Sequence, residues 1–288
     1  MGAKQNLAVN LGFAEDARLL IINCDDLGSS HAANAAIRRA IGEGAATSAT
    51  LMVPCPWARE GIEIARGLDV GVHLTLTSEY PFYRWRSLTG GGTLHDREGY
   101  LPRTAAEVWA GANLNEVEEE CRAQVRQALE WGVDITHLDA HMGTMQIDPR
   151  FFALYLKIAS EFRLPLRMVS ERHETQLGFD CRGRARSMGI VFPDNFISPV
   201  WGTPARGTLM RALETLRAGI SEIYLHPVED GPELRGYDLE AAALRADDYA
   251  CLMDPEVKAL AKRNGILPLS FRPLRDLMRA NTQSMSSV

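Results

Sequence analysis

Short apolar runs alternate with longer amphipathic segments along this chain. The first run, residues 19–22, is apolar at every position, which is typical of a strand buried on both faces of a parallel sheet. Segments with helical spacing follow most of the runs, so the pattern predicts right-handed crossovers and a parallel sheet. The other strand-like runs are residues 47–53, 68–76, 134–141, 164–170, 189–196, 221–226 and 266–271.

These seven or eight strands predict a single domain, an irregular (β/α) TIM-like barrel that spans the 288 residues. Its core should cover about residues 18–276, and both ends of the chain are expected to fray. An open, doubly wound sheet is the alternative architecture. A barrel also predicts where the functional groups lie, because in such folds they are found at the carboxyl ends of the strands.

Composition and charge narrow the function without specifying it. Hydrophobic residues make up 46% of the chain and charged residues 24%, as in ordinary globular proteins, and the net charge of −6 argues against a nucleic-acid partner. The five cysteines are scattered and odd in number, which predicts free thiols in a reducing compartment. We find neither a membrane-spanning run nor a signal-peptide core, so we expect a cytoplasmic protein.

The segment at residues 77–103 interrupts the strand–helix alternation. It contains prolines, three consecutive glycines and five aromatic residues, so it is predicted to be a long ordered loop. One interpretation is a loop that covers the substrate, with Tyr83 and Trp85 stacking on a sugar ring. The other is an Ω-loop that is packed by its own aromatic side chains.

Two adjacent carboxylates, Asp25 and Asp26, come directly after the first apolar run. Burying two like charges side by side is unfavourable, and a bound cation would make the pair tolerable. Such a pair also allows one carboxylate to bind metal while the other acts as a base. Alternatively, one aspartate could cap the helix predicted to begin near Ser30.

Histidines lie at or near the ends of other predicted strands. His73, His141 and His226 occupy such positions, and His137 and Asp139 share a strand face with His141. Each histidine alone could be a hydrogen-bonded core residue. Together with the aspartates they predict one divalent ion bound by two imidazoles and a carboxylate, a ligand set that favours zinc and allows magnesium. The sequence contains none of the HExxH, GxSxG, P-loop or dinucleotide-binding motifs.

Five segments resemble, in order, the landmarks of the YdjC-like carbohydrate deacetylases, the family of the chitooligosaccharide deacetylases. The segments read IINCDDLGSS, TSATLMV, DVGVHLTLT, THLDAH and YLHP, and the resemblance spans about residues 18–270. The resemblance implies a deformed (β/α) barrel that removes N-acetyl groups from amino sugars with a divalent metal. It also implies that Asp26, His73 and His141 bind this metal, that Asp25 is the base and that His226 is the acid.

The implied reaction is the attack of an activated water on the acetamide, with Asp139 orienting His137 or His141 and Arg167 contacting the substrate. Residues 142–146, MGTMQ, lack the further histidines that often follow this landmark, so the resemblance leaves the sugar open. The alternatives are a metal-dependent phosphoesterase on a related barrel and a sugar-binding protein without activity. The expected partner is an N-acetylated sugar, and a homodimer is one assembly that the sequence allows.

Overall fold

The computed structural model describes residues 6–285, with the side chains of residues 6–281. All of its strand pairs are parallel, and the strands form one curled sheet. The strands are β1 (Arg18–Leu27), β2 (Ser48–Leu51), β3 (Val70–Leu74), β4 (Ile135–Ala140), β5 (Asn195–Ile197), β6 (Gly219–Leu225) and β7 (Ile266–Pro268). They lie in the order β4-β3-β2-β1-β6-β5, and β7 pairs with the start of β1. The predicted irregular TIM-like barrel is therefore confirmed.

Helices surround the sheet and follow most of its strands. Within residues 6–285, none of them has the length and apolar character needed to cross a lipid bilayer. Two short 3₁₀ helices cover Gly92–Leu94 and His141–Gly143. The α-helices are α1 (Leu7–Asn10), α2 (His31–Gly42), α3 (Ala58–Ile64), α4 (Ala105–Gly111), α5 (Leu114–Glu130), α6 (Thr144–Ile147), α7 (Pro149–Phe162), α8 (Glu171–Leu177), α9 (Cys181–Ser187), α10 (Arg206–Thr215), α11 (Pro232–Tyr237), α12 (Ala242–Met253), α13 (Pro255–Arg263) and α14 (Arg272–Met285).

The strand predicted at residues 164–170 is irregular in the structure. It forms one isolated parallel bridge, between Leu138 and Leu166, and the Arg167 amide donates to the Leu138 carbonyl at 3.0 Å. The Leu166 amide donates to the Val191 carbonyl at 3.1 Å, so this segment joins β4 to the other side of the barrel. Pro165 has no N–H to donate, which explains why a continuous ladder does not form.

Two segments predicted otherwise are helical. The polar, glycine-containing sequence of residues 171–188 predicts a loop, but this segment contains α8 and α9, which begin at capping side chains of Ser170 and Asp180. Helix α11 was also not predicted, and it begins with Pro232 in its first turn. Helices of six or seven residues are too short to show a reliable apolar period, so their caps are their main sequence signal.

Side chains of β1 alternate between the two faces of the sheet. Leu20 and Ile22 belong to the large core between the sheet and the helices, whereas Leu19 and Ile21 belong to a smaller apolar cluster. This bottom cluster consists of buried side chains at the amino-terminal end of the barrel, namely Ala8, Leu19, Ile21, Ile220, Leu269, Phe271 and Leu274. It includes Ala8 of α1, which precedes the predicted core of residues 18–276, and Leu274 of α14, which lies within that core.

Candidate metal centre and active site

The three predicted metal ligands meet at the carboxyl ends of their strands. Asp26 Oδ1 lies 3.4 Å from His73 Nε2 and 3.4 Å from His141 Nδ1. The two ring nitrogens are 3.3 Å apart. Zinc bonds of about 2.0–2.1 Å imply a tetrahedral edge of about 3.3–3.4 Å, so the three atoms have the spacing of one tetrahedral face. The three residues could therefore hold a divalent cation.

Asp26 provides the most direct sign that this cluster fits a cation. Its Oδ2 accepts a hydrogen bond from Arg245 Nη1 at 2.7 Å, but its buried Oδ1 has no hydrogen-bond partner. Burial opposes ionisation, yet Arg245 and the neighbouring histidines outweigh it and hold the pKa of Asp26 well below its usual range. A buried carboxylate oxygen without a donor is costly, and a cation beside His73 and His141 would remove this cost. The backbone of Asp26 has φ 67°, a left-handed conformation that is unusual for a residue other than glycine.

His73 is oriented by a carboxylate that belongs to the sheet. Its Nδ1 lies 2.5 Å from Asp139 Oδ1, and Asp139 Oδ2 accepts a hydrogen bond from Thr50 at 2.9 Å. With Nδ1–H donated to Asp139, the lone pair of Nε2 is directed toward the ligand cluster. Asp139 therefore contacts His73, and not His137 or His141 as the sequence predicts.

His141 is oriented by a carboxylate that belongs to the long loop. Its Nε2 lies 3.0 Å from Oε2 of Glu79, six residues after His73 in the chain. Burial opposes protonation of His141, but Glu79 and Asp26 outweigh it and raise its pKa to about 10. Glu79 was not a candidate in the sequence. Its one signal in the sequence is that Glu79 is an acidic residue shortly after the strand that contains His73 near its end.

Asp25 is held beside the ligands by an arginine. Arg167 Nη1 and Nη2 donate to its two carboxylate oxygens at 2.6 and 2.7 Å, and Asn23 Nδ2 donates at 2.8 Å. Burial opposes ionisation of Asp25, but Arg167 outweighs it and lowers the pKa to about 2. Donor atoms of Asp25, His73 and Asp139 lie within 4.8 Å of one another, so this carboxylate adjoins the proposed metal site.

Arg167 is fully engaged by carboxylates in the structure. In addition to Asp25, it donates from Nε to Glu222 at 2.6 Å and lies 3.0 Å from Asp139 through Nη1. Its guanidinium packs over the Tyr224 ring at 4.8 Å. This arrangement favours a role in holding Asp25 over the predicted contact with the substrate.

His226 lies just after β6 and lines a small cavity. Its ring meets the rings of Trp201 and Tyr224 edge-on, with centroids 5.7 and 5.3 Å away. Burial lowers the pKa of His226 below its ordinary value. The cavity wall includes these three residues together with Arg245, which contacts Asp26, so the cavity adjoins the ligand cluster.

His137 lies apart from the ligands. Its fully buried ring stacks on Phe271 with centroids 3.7 Å apart, and Thr136 Oγ1 lies 3.0 Å from its Nδ1. Its Nε2 has no hydrogen-bond partner, and burial holds its pKa well below the usual range. These contacts indicate that His137 belongs to the barrel interior, below Asp139, and they do not favour the predicted role of His137 beside a metal ligand.

Three of the five aromatic residues of the loop at residues 77–103, namely Tyr80, Tyr83 and Trp85, pack on one another. Trp85 is 3% exposed and donates to the Thr77 carbonyl at 2.8 Å, while the half-buried Tyr83 donates to the Ser29 carbonyl at 2.7 Å. Their rings also pack against Tyr80. This packing corresponds to the Ω-loop interpretation, although the Trp85 ring lies only 6.5 Å from that of His141.

Comparisons with known proteins agree with this architecture. The profile of the family described as "YdjC-like protein" matches residues 19–263. A protein of Thermus thermophilus named "Carbohydrate deacetylase" is 35% identical, with 91% of this chain and 95% of the relative covered. A protein of the same name from Geobacillus stearothermophilus is 27% identical, with 88% and 97% covered.

A solved structure also has this fold. It is a protein of Enterococcus faecalis V583 that is named for a proposed cleavage of cellobiose phosphate. Its TM-score is 0.79 at 25% identity, with 90% of this chain and 99% of that protein covered. The family profile and the Thermus relative cover nearly the whole barrel, including every residue of the ligand cluster. The chain belongs to the YdjC-like protein family.

Proposed function

We propose that this protein hydrolyses the N-acetyl group of an amino sugar or oligosaccharide, with a divalent cation held by Asp26, His73 and His141. The observation that carries the proposal is the convergence of three ligand atoms, 3.3–3.4 Å apart, around the unpartnered Asp26 Oδ1. The name "Carbohydrate deacetylase" of the relatives from Thermus and Geobacillus supports the reaction and the substrate class.

Zinc is the cation that the ligand set favours. Two imidazoles and one carboxylate are a common zinc shell, whereas magnesium prefers six oxygen ligands with an edge of about 2.8–3.0 Å. The observed spacing of 3.3–3.4 Å is wider than that edge. Zinc would supply Lewis acidity that activates a water near neutral pH and polarises the amide carbonyl.

Asp25 is the proposed general base. It is ionised, since Arg167 lowers its pKa to about 2, and two donors hold its carboxylate in place. From that position it would accept a proton from the attacking water. Such a weak base is sufficient only if the water has itself become acidic, which is consistent with a cation at the adjacent ligands.

His226 is the proposed general acid. It lines the cavity next to the ligand cluster. Because burial lowers its pKa, the ring is mainly neutral near neutral pH, and it would pass to the departing amine the proton that Asp25 accepts from the water. This cavity, which Trp201 and Tyr224 also line, has the small, partly aromatic character expected of a site for an acyl group. We propose that the acetyl group faces this cavity during the reaction.

The charge arrangement favours an amide over a phosphate ester as substrate. Both buried arginines beside the site are occupied, because Arg167 donates to Asp25 and Glu222, and Arg245 donates to Asp26. Neither offers a free guanidinium to a phosphate group, which phosphoesterases usually require. Measurements of metal content and turnover distinguish the deacetylase from the remaining alternative, a sugar-binding protein without activity.

The decisive experiment combines metal analysis of the purified protein with a release assay. N-acetylated monosaccharides, disaccharides, oligosaccharides and amino-sugar lipids are incubated with the enzyme, and acetate and phosphate are measured in parallel with phosphorylated sugars. We expect stoichiometric zinc and release of acetate from at least one N-acetylated sugar. Release of phosphate would favour the phosphoesterase, and a protein without metal or turnover would favour the binding protein.

A further inference from the structure

Two consecutive residues of the long loop support two of the proposed metal ligands, one directly and one through an arginine. Glu79 Oε2 lies 3.0 Å from His141 Nε2. Tyr80 Oη accepts a hydrogen bond from Arg245 Nη2 at 2.9 Å, and Arg245 Nη1 donates to Asp26 Oδ2 at 2.7 Å. The loop thus reaches one ligand directly and a second through one arginine. The proposed mechanism uses neither Glu79 nor Tyr80.

The third ligand is supported differently. His73 is oriented by Asp139, which is fully buried in β4, accepts from Thr50 of β2 and belongs to the rigid sheet. By contrast, the Glu79 side chain is 23% exposed and its backbone lies in irregular structure. His73 is therefore oriented by the sheet, whereas the loop contacts His141 directly and Asp26 through Arg245, which Asp238 also holds at 2.7 Å.

The loop behaves as a closed unit because its two ends are tied together. The Ser78 amide donates to the Pro102 carbonyl at 2.8 Å, and Arg103 Nη1 donates to the Tyr80 carbonyl at 3.1 Å. Trp85 then fills the interior of the loop and donates to the Thr77 carbonyl at 2.8 Å. Glu79 and Tyr80 are consequently positioned by the packing of the whole loop, and they would be displaced if it opened.

We infer that Glu79 and Tyr80 are positioning residues for the metal ligands, and that metal binding and docking of the loop at residues 77–103 are coupled. The inference rests on the proposed function, because it takes Asp26, His73 and His141 as the metal ligands. A cation that binds only the assembled ligand cluster stabilises the docked loop by mass action. Conversely, loss of the loop contacts lowers the affinity for the cation.

The first test measures zinc affinity by competition with a chromophoric chelator. Glu79→Ala should weaken binding by about 10–100-fold, the usual effect of removing a carboxylate that orients a ligating histidine. Glu79→Gln should have a smaller effect, because its amide oxygen still accepts from the ring. Tyr80→Phe, which removes the acceptor of Arg245, should also weaken binding. Glu98→Gln is the matched control, since Glu98 is an exposed carboxylate of the same loop that pairs with Arg84.

The second test uses readouts that do not depend on turnover. Cobalt is substituted for zinc, and its visible absorption spectrum should change in Glu79→Ala and stay unchanged in Glu98→Gln. Trypsin cleavage at the exposed Arg86 and Arg97 of the loop is followed with and without zinc. Zinc should slow cleavage of the wild type and of Glu98→Gln, and should protect Glu79→Ala less.

The outcomes separate this inference from the proposed function. A wild type that binds no zinc overturns the proposed function and the coupling with it. A wild type that binds zinc, with Glu79→Ala and Tyr80→Phe matching Glu98→Gln in affinity, spectrum and protection, overturns the coupling alone. Circular dichroism checks that each variant is folded. If Glu79→Ala is unfolded, the conservative variants Glu79→Gln and Tyr80→Phe are used for the test.

Discussion

The two ends of the barrel interior are built from the same strands but differ in chemistry. At the amino-terminal end, Leu19 and Ile21 of β1 meet Phe271 in the bottom cluster, which is wholly apolar. At the carboxyl-terminal end, the inward positions of β1 become Asn23 and Asp25, and acids, imidazoles and guanidinium groups replace the aliphatic side chains. A single strand therefore contributes to the core in its first half and to the candidate active site in its second half.

The comparison shows how the barrel tolerates so many buried charges. Apolar contacts at the bottom stabilise the fold without specific partners. At the top each charge has a defined counterpart, such as Arg167 with Asp25 and Arg245 with Asp26. Among the described residues, the buried carboxylate oxygens without a hydrogen-bond partner are Asp26 Oδ1, in the ligand cluster, and Glu222 Oε2, deeper in the interior. Substitutions at the bottom should therefore affect stability, and substitutions at the top should mainly affect chemistry.

The largest effect is expected from removing a ligand at the top. His73→Ala deletes one of two imidazoles from the ligand cluster, so bound zinc and release of acetate should both fall to background. Metal analysis and the release assay check this on the same preparation. Retention of stoichiometric zinc by this variant would contradict the ligand assignment.

The next largest effect is expected at Asp25. Asp25→Asn keeps the size of the side chain and removes the proposed base, so turnover should fall by about 10²–10⁴-fold. The three ligands are untouched, and zinc should be retained. A variant that turns over at the wild-type rate would show that another group accepts the proton.

Ile21→Ala tests the other half of the same strand. Truncating this fully buried side chain should lower the free energy of unfolding by about 2–5 kcal/mol, measured by urea denaturation. Zinc content and the turnover of the folded enzyme should match the wild type, because the bottom cluster does not contact the ligands. Loss of zinc from folded Ile21→Ala would mean that the two ends are not independent.

The smallest effect concerns the pH dependence of stability. Burial raises the pKa of Glu222 from 4.5 to about 7, although Arg167 opposes the shift. Between these values the folded protein binds the proton more than the unfolded chain does, so stability should decrease as the pH rises. Over that interval the decrease is at most about 3 kcal/mol.

Glu222→Gln should remove this contribution to the decrease in stability with rising pH. Its amide can still accept from Arg167 Nε, so the salt-bridge partner keeps a hydrogen bond. Thermal unfolding of both proteins between about pH 5 and 8 tests the expectation. Parallel curves for the variant and the wild type would show that Glu222 is ionised in the folded protein throughout this range.

Much of the fold was predictable because it depends on local patterns. The strand-like runs located β1 to β4, β6 and β7, and the sequence pattern of Thr104 and Glu107 matches the capping box observed at the start of α4. The irregularity of the segment around Pro165 was not predicted, because barrel closure there depends on contacts distant in sequence. The short helices α8, α9 and α11 were not predicted, because six or seven residues do not show a reliable apolar period.

The sequence by itself determined which residue types stand at the ends of the strands. Parallel strands bring those ends to one rim, so the sequence predicted that the aspartates and histidines there converge, and the family resemblance singled out Asp26, His73 and His141, which do meet. Only the tertiary structure decided the partner of each group. Glu79 is 62 residues from His141, and Arg245 is 219 residues from Asp26. Local patterns carry no information about such pairs, because strand register, barrel closure and loop packing decide which distant side chains touch.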